Sequence, residues 1–73
     1  MNHRTKILVK GIVQGVGFRP FVYNLAKSLH LKGYVINSSR GVTVEIEGEN
    51  SPAFIDRLPK EAPPLSQIMS IDI

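Results

Sequence analysis

Residues 5–29 read TKILVKGIVQGVGFRPFVYNLAKSL, and the order of events within them decides what fold the chain can take. Thr5 to Val13 is rich in Ile, Leu and Val, the composition of a β-strand, with Lys6 and Lys10 marking one side. Leu8 and Ile12 share the lysine side, a pattern tolerable in a central strand covered by helices on the other face. Gly15 and Gly17, two glycines in the run Gln14 to Arg19, then mark a tight loop. Pro20 suits a first helical position, where its missing N–H costs nothing. From there Val22, Leu25, Ala26 and Leu29 fall on one stripe of a helix running to about Leu31. Lys32 and Gly33 predict its C-terminal end, through a favourable charge and a flexible stop.

Reading outward from this unit, Tyr34 to Asn37 is a short strand candidate and Ser38-Ser39-Arg40-Gly41 a turn. Val42, Val44 and Ile46 alternate with Thr43, Glu45 and Glu47, the pattern of a half-buried strand. Ser51 followed by Pro52 predicts a helix start with Ser51 as N-cap. Phe54, Ile55 and Leu58 give that helix an apolar side, and Pro59 is expected to end or kink it. After the connector Ala62-Pro63-Pro64, residues 67–73 alternate Ile68, Ser70, Asp72 against Met69, Ile71, Ile73, a fourth strand. The order β-α-β-β-α-β predicts a ferredoxin-like α/β sandwich, with an antiparallel four-stranded sheet and two helices on one face. With 73 residues the chain is one domain at most.

Composition narrows the function classes. Hydrophobic residues at 42% and charged residues at 21% exclude a disordered tail. The absence of Cys removes disulfides, thiolate metal sites and a cysteine nucleophile. The longest charge-free stretch, Ala62 to Ile71, is too short to span a bilayer, and no signal-peptide core is present. A cytoplasmic chain with no membrane partner is the expectation. The net charge of +3 is unevenly placed. Residues 1–40 hold Arg4, Lys6, Lys10, Arg19, Lys27, Lys32 and Arg40 with no acid, whereas all six acids lie beyond. A basic half containing a glycine loop favours a bound anion.

Several chemical templates fail. After Gly15 and Gly17 comes Phe18-Arg19-Pro20, so neither the third glycine of a dinucleotide fingerprint nor the Gly-Lys-Ser/Thr of a P-loop follows. The two histidines, His3 and His30, lie far apart without carboxylates at ligand spacing, so no metal site is expected. RNA readers on this fold display aromatics on the central strands, and Thr5–Val13 and Val42–Glu47 contain none, which argues against a nucleic-acid partner. What remains is the loop. Gly15 and Gly17 let the N–H groups of Gln14, Gly15, Val16, Gly17, Phe18 and Arg19 turn around an anion at the positive end of the following helix. The Arg19 guanidinium can engage two phosphoryl oxygens at once. A turn chosen only for its backbone geometry, with Arg19 in solvent, is the alternative. Asn37 admits two readings as well. It could satisfy turn N–H groups, or its amide could hold a water without titrating.

Gly11-Ile12-Val13-Gln14-Gly15-Val16-Gly17-Phe18-Arg19, Gly33-Tyr34-Val35-Ile36-Asn37 and Gly41-Val42-Thr43-Val44-Glu45-Ile46-Glu47-Gly48 together resemble the signature of the acylphosphatase family. The resemblance extends across nearly the whole chain. It implies that the loop amides and Arg19 bind a phosphoryl group, that Asn37 orients the attacking water, and that no metal or cofactor takes part. Gln14 to Tyr23, with Leu25-Ala26 behind it and Pro63-Pro64-Leu65 further on, is more narrowly similar to the N-terminal acylphosphatase-like domain of the carbamoyltransferases that mature nickel–iron hydrogenases. That similarity implies carbamoyl phosphate, or another small acyl phosphate or phosphate anion, as ligand, and the remainder of a larger hydrogenase maturation protein as partner. Two features depart from the usual pattern: Arg40 adds positive charge before the second turn glycine, and residues 1–73 lack the closing C-terminal edge strand of the usual domain. Hydrolysis of the anhydride is the leading expectation; a phosphate-binding or regulatory module that needs Arg19 but not Asn37 is its rival.

Overall fold

The computed structural model describes residues 4–73, so His3, weighed above as a metal ligand, lies outside the described residues. The elements run β1 (Arg4–Ile12), α1 (Phe18–Ser28), β2 (Lys32–Ser38), β3 (Gly41–Glu47), α2 (Ser51–Lys60) and β4 (Gln67–Asp72). The four strands form one sheet in the order β2-β3-β1-β4, and every neighbouring pair is antiparallel. This is the expected ferredoxin-like arrangement, with β1 and β3 central and β2 and β4 at the edges.

The core follows from the strand register. Val44 stands between Ile7 and Val35, and Val42 between Val9 and Asn37, so these residues point to one face of the sheet. Against Ile7, Val9, Val42, Val44 and Ile46 pack Phe18, Val22 and Leu25 from α1 and Phe54 and Leu58 from α2, all buried. Both helices therefore cover the same face. Each such side chain contributes roughly 1.5–3 kcal/mol of burial free energy, and this shared layer holds α1, and the loop before it, in place. On the opposite face Arg4 pairs with Glu45 and Glu47, and the Tyr34 hydroxyl donates to Glu45. The Tyr34 hydrogen bond first, and Arg4 second, hold the Glu45 carboxyl below the usual carboxylate range.

Element ends differ from expectation where backbone geometry or tertiary contacts override local signals. Helix α1 begins at Phe18 rather than Pro20, and Phe18 is buried in the core. Pro20 fits nonetheless, because no N–H of the first turn has an intrahelical partner. The helix does not stop at Lys32-Gly33. His30 takes the left-handed conformation (φ 59°), the His30 N–H bonds the Lys27 carbonyl at 3.1 Å, and the Leu31 N–H bonds the Ala26 carbonyl at 2.9 Å. These are the two bonds of a Schellman ending, with a histidine where glycine is usual and Leu31 buried behind it.

Ser51 is the first residue of α2, not its N-cap. Its buried hydroxyl donates to the Gly48 carbonyl at 2.8 Å, while Asn50 precedes the helix and donates to the Leu29 carbonyl at 2.8 Å. Pro59 does not end α2, which runs to Lys60; the Glu61 N–H still bonds the Arg57 carbonyl at 2.9 Å beyond it.

Strand β4 does not alternate strictly. Lys10 pairs with Ser70 but Gly11 with Ile68, leaving Met69 as a bulge residue that is 82% exposed. Ile68 and Ile71 consequently both pack against the core. Gly11 permits this: at φ 133°, a Cβ there would lie 2.0 Å from the Gln67 carbonyl oxygen.

Candidate active site

The segment from Val13 to Gly17 carries the chain from β1 to α1. Val13 is buried and anchors one end, and buried Phe18 anchors the other. Between them Gly15 (φ 73°) and Gly17 (φ 79°) take left-handed backbone that other residues adopt only with strain. A Cβ at either position would meet nothing within 4 Å. The glycines are thus required by backbone conformation and not by crowding, and the loop they shape is open. Gly17 immediately precedes α1 and no side chain caps the helix; the first intrahelical bond is Phe21 N–H to the Gly17 carbonyl at 3.2 Å. The N–H groups of Phe18 and Arg19 are therefore left for a ligand or water, and the helix dipole favours an anion there.

Arg19 is exposed and, among the described residues, forms no ion pair. It borders a shallow depression of about 340 Å³ lined by Pro20, Tyr23, Asn24 and Val35. Tyr23 lies one helical turn beyond Arg19, and that spacing is the signal by which sequence reading could have placed it beside the arginine. Asn24 belongs to the same depression.

Asn37 pairs with Val42 and so shares the helix-covered face with Val35, two positions away. It is exposed, and among the described residues its carboxamide has no hydrogen-bond partner. The turn function falls instead to Ser38. Its hydroxyl accepts the Arg40 N–H at 3.3 Å and donates to the Gly41 carbonyl at 3.2 Å. Among the described residues the turn is therefore satisfied without the Asn37 side chain. Ser38 opens the turn expected at Ser38-Ser39-Arg40-Gly41, and its hydroxyl holds that turn.

The Gln14 side chain joins the loop to the β2–β3 hairpin. Its Nε2 donates to the Ser38 carbonyl and to the Gly41 carbonyl, each at 3.1 Å. Of the six loop residues singled out from sequence, Gln14 thus turns its side chain away from the loop, Phe18 buries its ring, and Val16 packs against the core. Whatever these three offer an anion comes from backbone N–H. No acid precedes Glu45 in the chain, and Glu45 itself is engaged by Arg4 and Tyr34, eight residues from Asn37 along the β2–β3 hairpin. The depression is lined by Arg19, Tyr23 and Asn24 beside Pro20 and Val35, with Asn37 two strand positions beyond Val35 on the same face of the sheet. Such a set can hold and polarise a phosphoryl group and orient a water; among the described residues no carboxylate or histidine lines it.

Residues 5–73 match the family model described as acylphosphatase. A carbamoyltransferase HypF of Rhizobium leguminosarum bv. viciae is 50% identical over 70 residues, which cover 96% of this chain and 9% of that protein. Among solved structures, full-length HypF in a phosphate- and nucleotide-bound form superposes with a TM-score of 0.93 at 46% identity, covering 99% of this chain and 10% of that one. The acylphosphatase from Bacillus subtilis gives a TM-score of 0.87 at 36% identity, covering 99% of this chain and 81% of that one. The chain spans about a tenth of the length of the carbamoyltransferases it matches and about four-fifths of that acylphosphatase.

Proposed function

Because the chain belongs to the acylphosphatase family and is closely related to the acylphosphatase-like domain of the HypF carbamoyltransferases, we propose that it hydrolyses an acyl phosphate, carbamoyl phosphate in particular, without a metal ion. The backbone N–H groups of the Gln14–Arg19 loop and the Arg19 guanidinium hold the phosphoryl oxygens and meet the charge that develops on them. Asn37 accepts a hydrogen bond from a water through its carbonyl oxygen and aims it at phosphorus, opposite the acyl oxygen. The water oxygen forms a bond to phosphorus as the bond from phosphorus to the acyl oxygen breaks. The carboxylate, or carbamate, leaves with the electron pair, and the proton of the water passes to a phosphoryl oxygen. A mixed anhydride has a good leaving group, so positioning and electrostatics suffice without an enzyme base.

The observation that carries this reading is the Asn37 carboxamide, without a hydrogen-bond partner among the described residues, on the same side of the sheet as the Arg19 depression, with the turn beside it satisfied by Ser38. A module that only binds phosphate does not need an amide that holds a water. The near-complete match to a tenth of HypF carbamoyltransferases further supports a role within a larger hydrogenase maturation protein. Purified chain is assayed for phosphate release from carbamoyl phosphate and from an aryl acyl phosphate. Turnover of both, with competitive inhibition by inorganic phosphate, is expected; release no faster than the uncatalysed rate refutes the proposal.

A further inference from the structure

Among the described residues the Gln14 carboxamide has only backbone carbonyls as partners, so chemistry assigns its orientation: the NH2 end must face them, and both of its hydrogens are committed. The two carbonyls belong to Ser38 and Gly41, the residue pair that closes the β2–β3 hairpin. Ser38 directly follows Asn37, and Gln14 directly precedes Gly15. A single side chain thus links the residue before the open loop to the residue after the candidate water-holding amide, across 24 positions of sequence. Strand β2 needs such a link because it is an edge strand, paired to β3 alone. Gly41 is held independently, since its α-carbon packs so closely on the Val9 carbonyl that a Cβ would lie 2.2 Å from that oxygen. That contact fixes β3 against β1; β2 is held by its ladder with β3 and by α1, and its hairpin end by Gln14 as well.

Resting on the proposed hydrolysis, we propose that the Gln14 side chain is a positioning residue, clamping the hairpin to the phosphate-binding loop and so setting where the Asn37 carboxamide stands relative to the bound phosphoryl group. It touches neither substrate nor water. Both of its bonds are exposed to solvent, so they add little to stability, yet a displacement of Asn37 by about 1 Å suffices to cost up to about 100-fold in rate.

Two substitutions test this with an aryl acyl phosphate as substrate. Gln14→Met keeps length and volume and removes the donor. It should lower kcat about tenfold while the inhibition constant of inorganic phosphate and the urea midpoint stay near those of the parent. In an Asn37→Ala background the same change should cost less than about twofold, because there is no longer an amide to misplace. Gln14→Glu sets a carboxylate against two carbonyls at neutral pH and should be equally impaired. Relative to the parent it should recover as acidification protonates the carboxyl, whose O–H can donate to one carbonyl. Equal losses in the two Asn37 backgrounds, an undiminished kcat, or a Glu variant without acid recovery would overturn the proposal. An arm independent of turnover is the NMR signal of the Asn37 side-chain NH2, which should shift in Gln14→Met. If the parent fails to hydrolyse, the hydrolysis reading falls, whereas an unmoved Asn37 signal removes the clamp whatever the parent does.

Discussion

Asn37→Ala is the substitution on which catalysis and structure part company most clearly. The carboxamide makes no hydrogen bond among the described residues and sits exposed on an edge strand. Removing it breaks no hydrogen bond among the described residues, and Asn and Ala are both weak strand formers. The expected stability change is therefore within about 0.5 kcal/mol, a shift of the urea midpoint of about half a molar or less at a slope of about 1 kcal/mol/M. Turnover should fall about 100-fold, equivalent to about 2.7 kcal/mol of transition-state stabilisation, with phosphate inhibition nearly unchanged. Ser38→Ala is the counterpart. It loses the hydroxyl bonds at 3.2 and 3.3 Å that hold the turn and should cost about 1 kcal/mol of stability, with a smaller effect on kcat. The pair is measured by urea unfolding and by phosphate release from an aryl acyl phosphate. An Asn37→Ala chain destabilised by 1 kcal/mol or more, yet turning over within about threefold of the parent, would show that Asn37 is a structural residue after all.

Arg19→Ala should abolish competitive inhibition by inorganic phosphate and most hydrolysis while leaving the urea midpoint unchanged, since the guanidinium has no ion-pair partner among the described residues; an unaltered inhibition constant would remove Arg19 from the site. Gly11→Ala should destabilise the chain by about 3 kcal/mol or more, because the new methyl meets the Gln67 carbonyl and the Met69 N–H at 2.0 and 2.8 Å in a backbone region reserved for glycine; a parental urea midpoint would contradict the bulge. Glu45 titrates below its ordinary value of 4.5 in the folded chain. Its contribution to stability is present above that value and is lost as pH falls through the lower folded one. Urea midpoints of Glu45→Gln should accordingly fall less steeply than those of the parent below about pH 4.5, and parallel profiles would show that the Tyr34 and Arg4 contacts are not formed in solution.

Much of this molecule was legible because its signals are local. Alternation at Val42, Val44 and Ile46 marked a half-buried strand, and the spacing of Val22, Leu25 and Leu29 a helix face, since both periods reflect the pitch of the backbone. The glycine loop announced itself through Gly15 and Gly17, whose positive φ angles only glycine adopts cheaply. Arg19 and Asn37 stood out by residue type at fixed distances from those elements. These features need no knowledge of what lies opposite.

Other features depend on partners distant in sequence. The bulge that turns both Ile68 and Ile71 toward the core exists because β4 pairs with a glycine in β1, 57 positions from Ile68. Alternation within β4 alone could not reveal it. The stop at His30 was decided by carbonyls of the preceding turn and by the burial of Leu31, against a Lys-Gly signal that reads as the better ending. The division of labour at the hairpin is likewise tertiary. Sequence placed Ser38 in the turn and Asn37 at the strand end beside it, but left open whether the Asn37 amide serves that turn. Only the folded chain spends the Gln14 amide on carbonyls 24 and 27 residues away and, among the described residues, gives the Asn37 amide no hydrogen bond. A hydrogen bond is directional over about 3 Å, so its partner is selected by where folding has carried each group and not by which residues are able to form one.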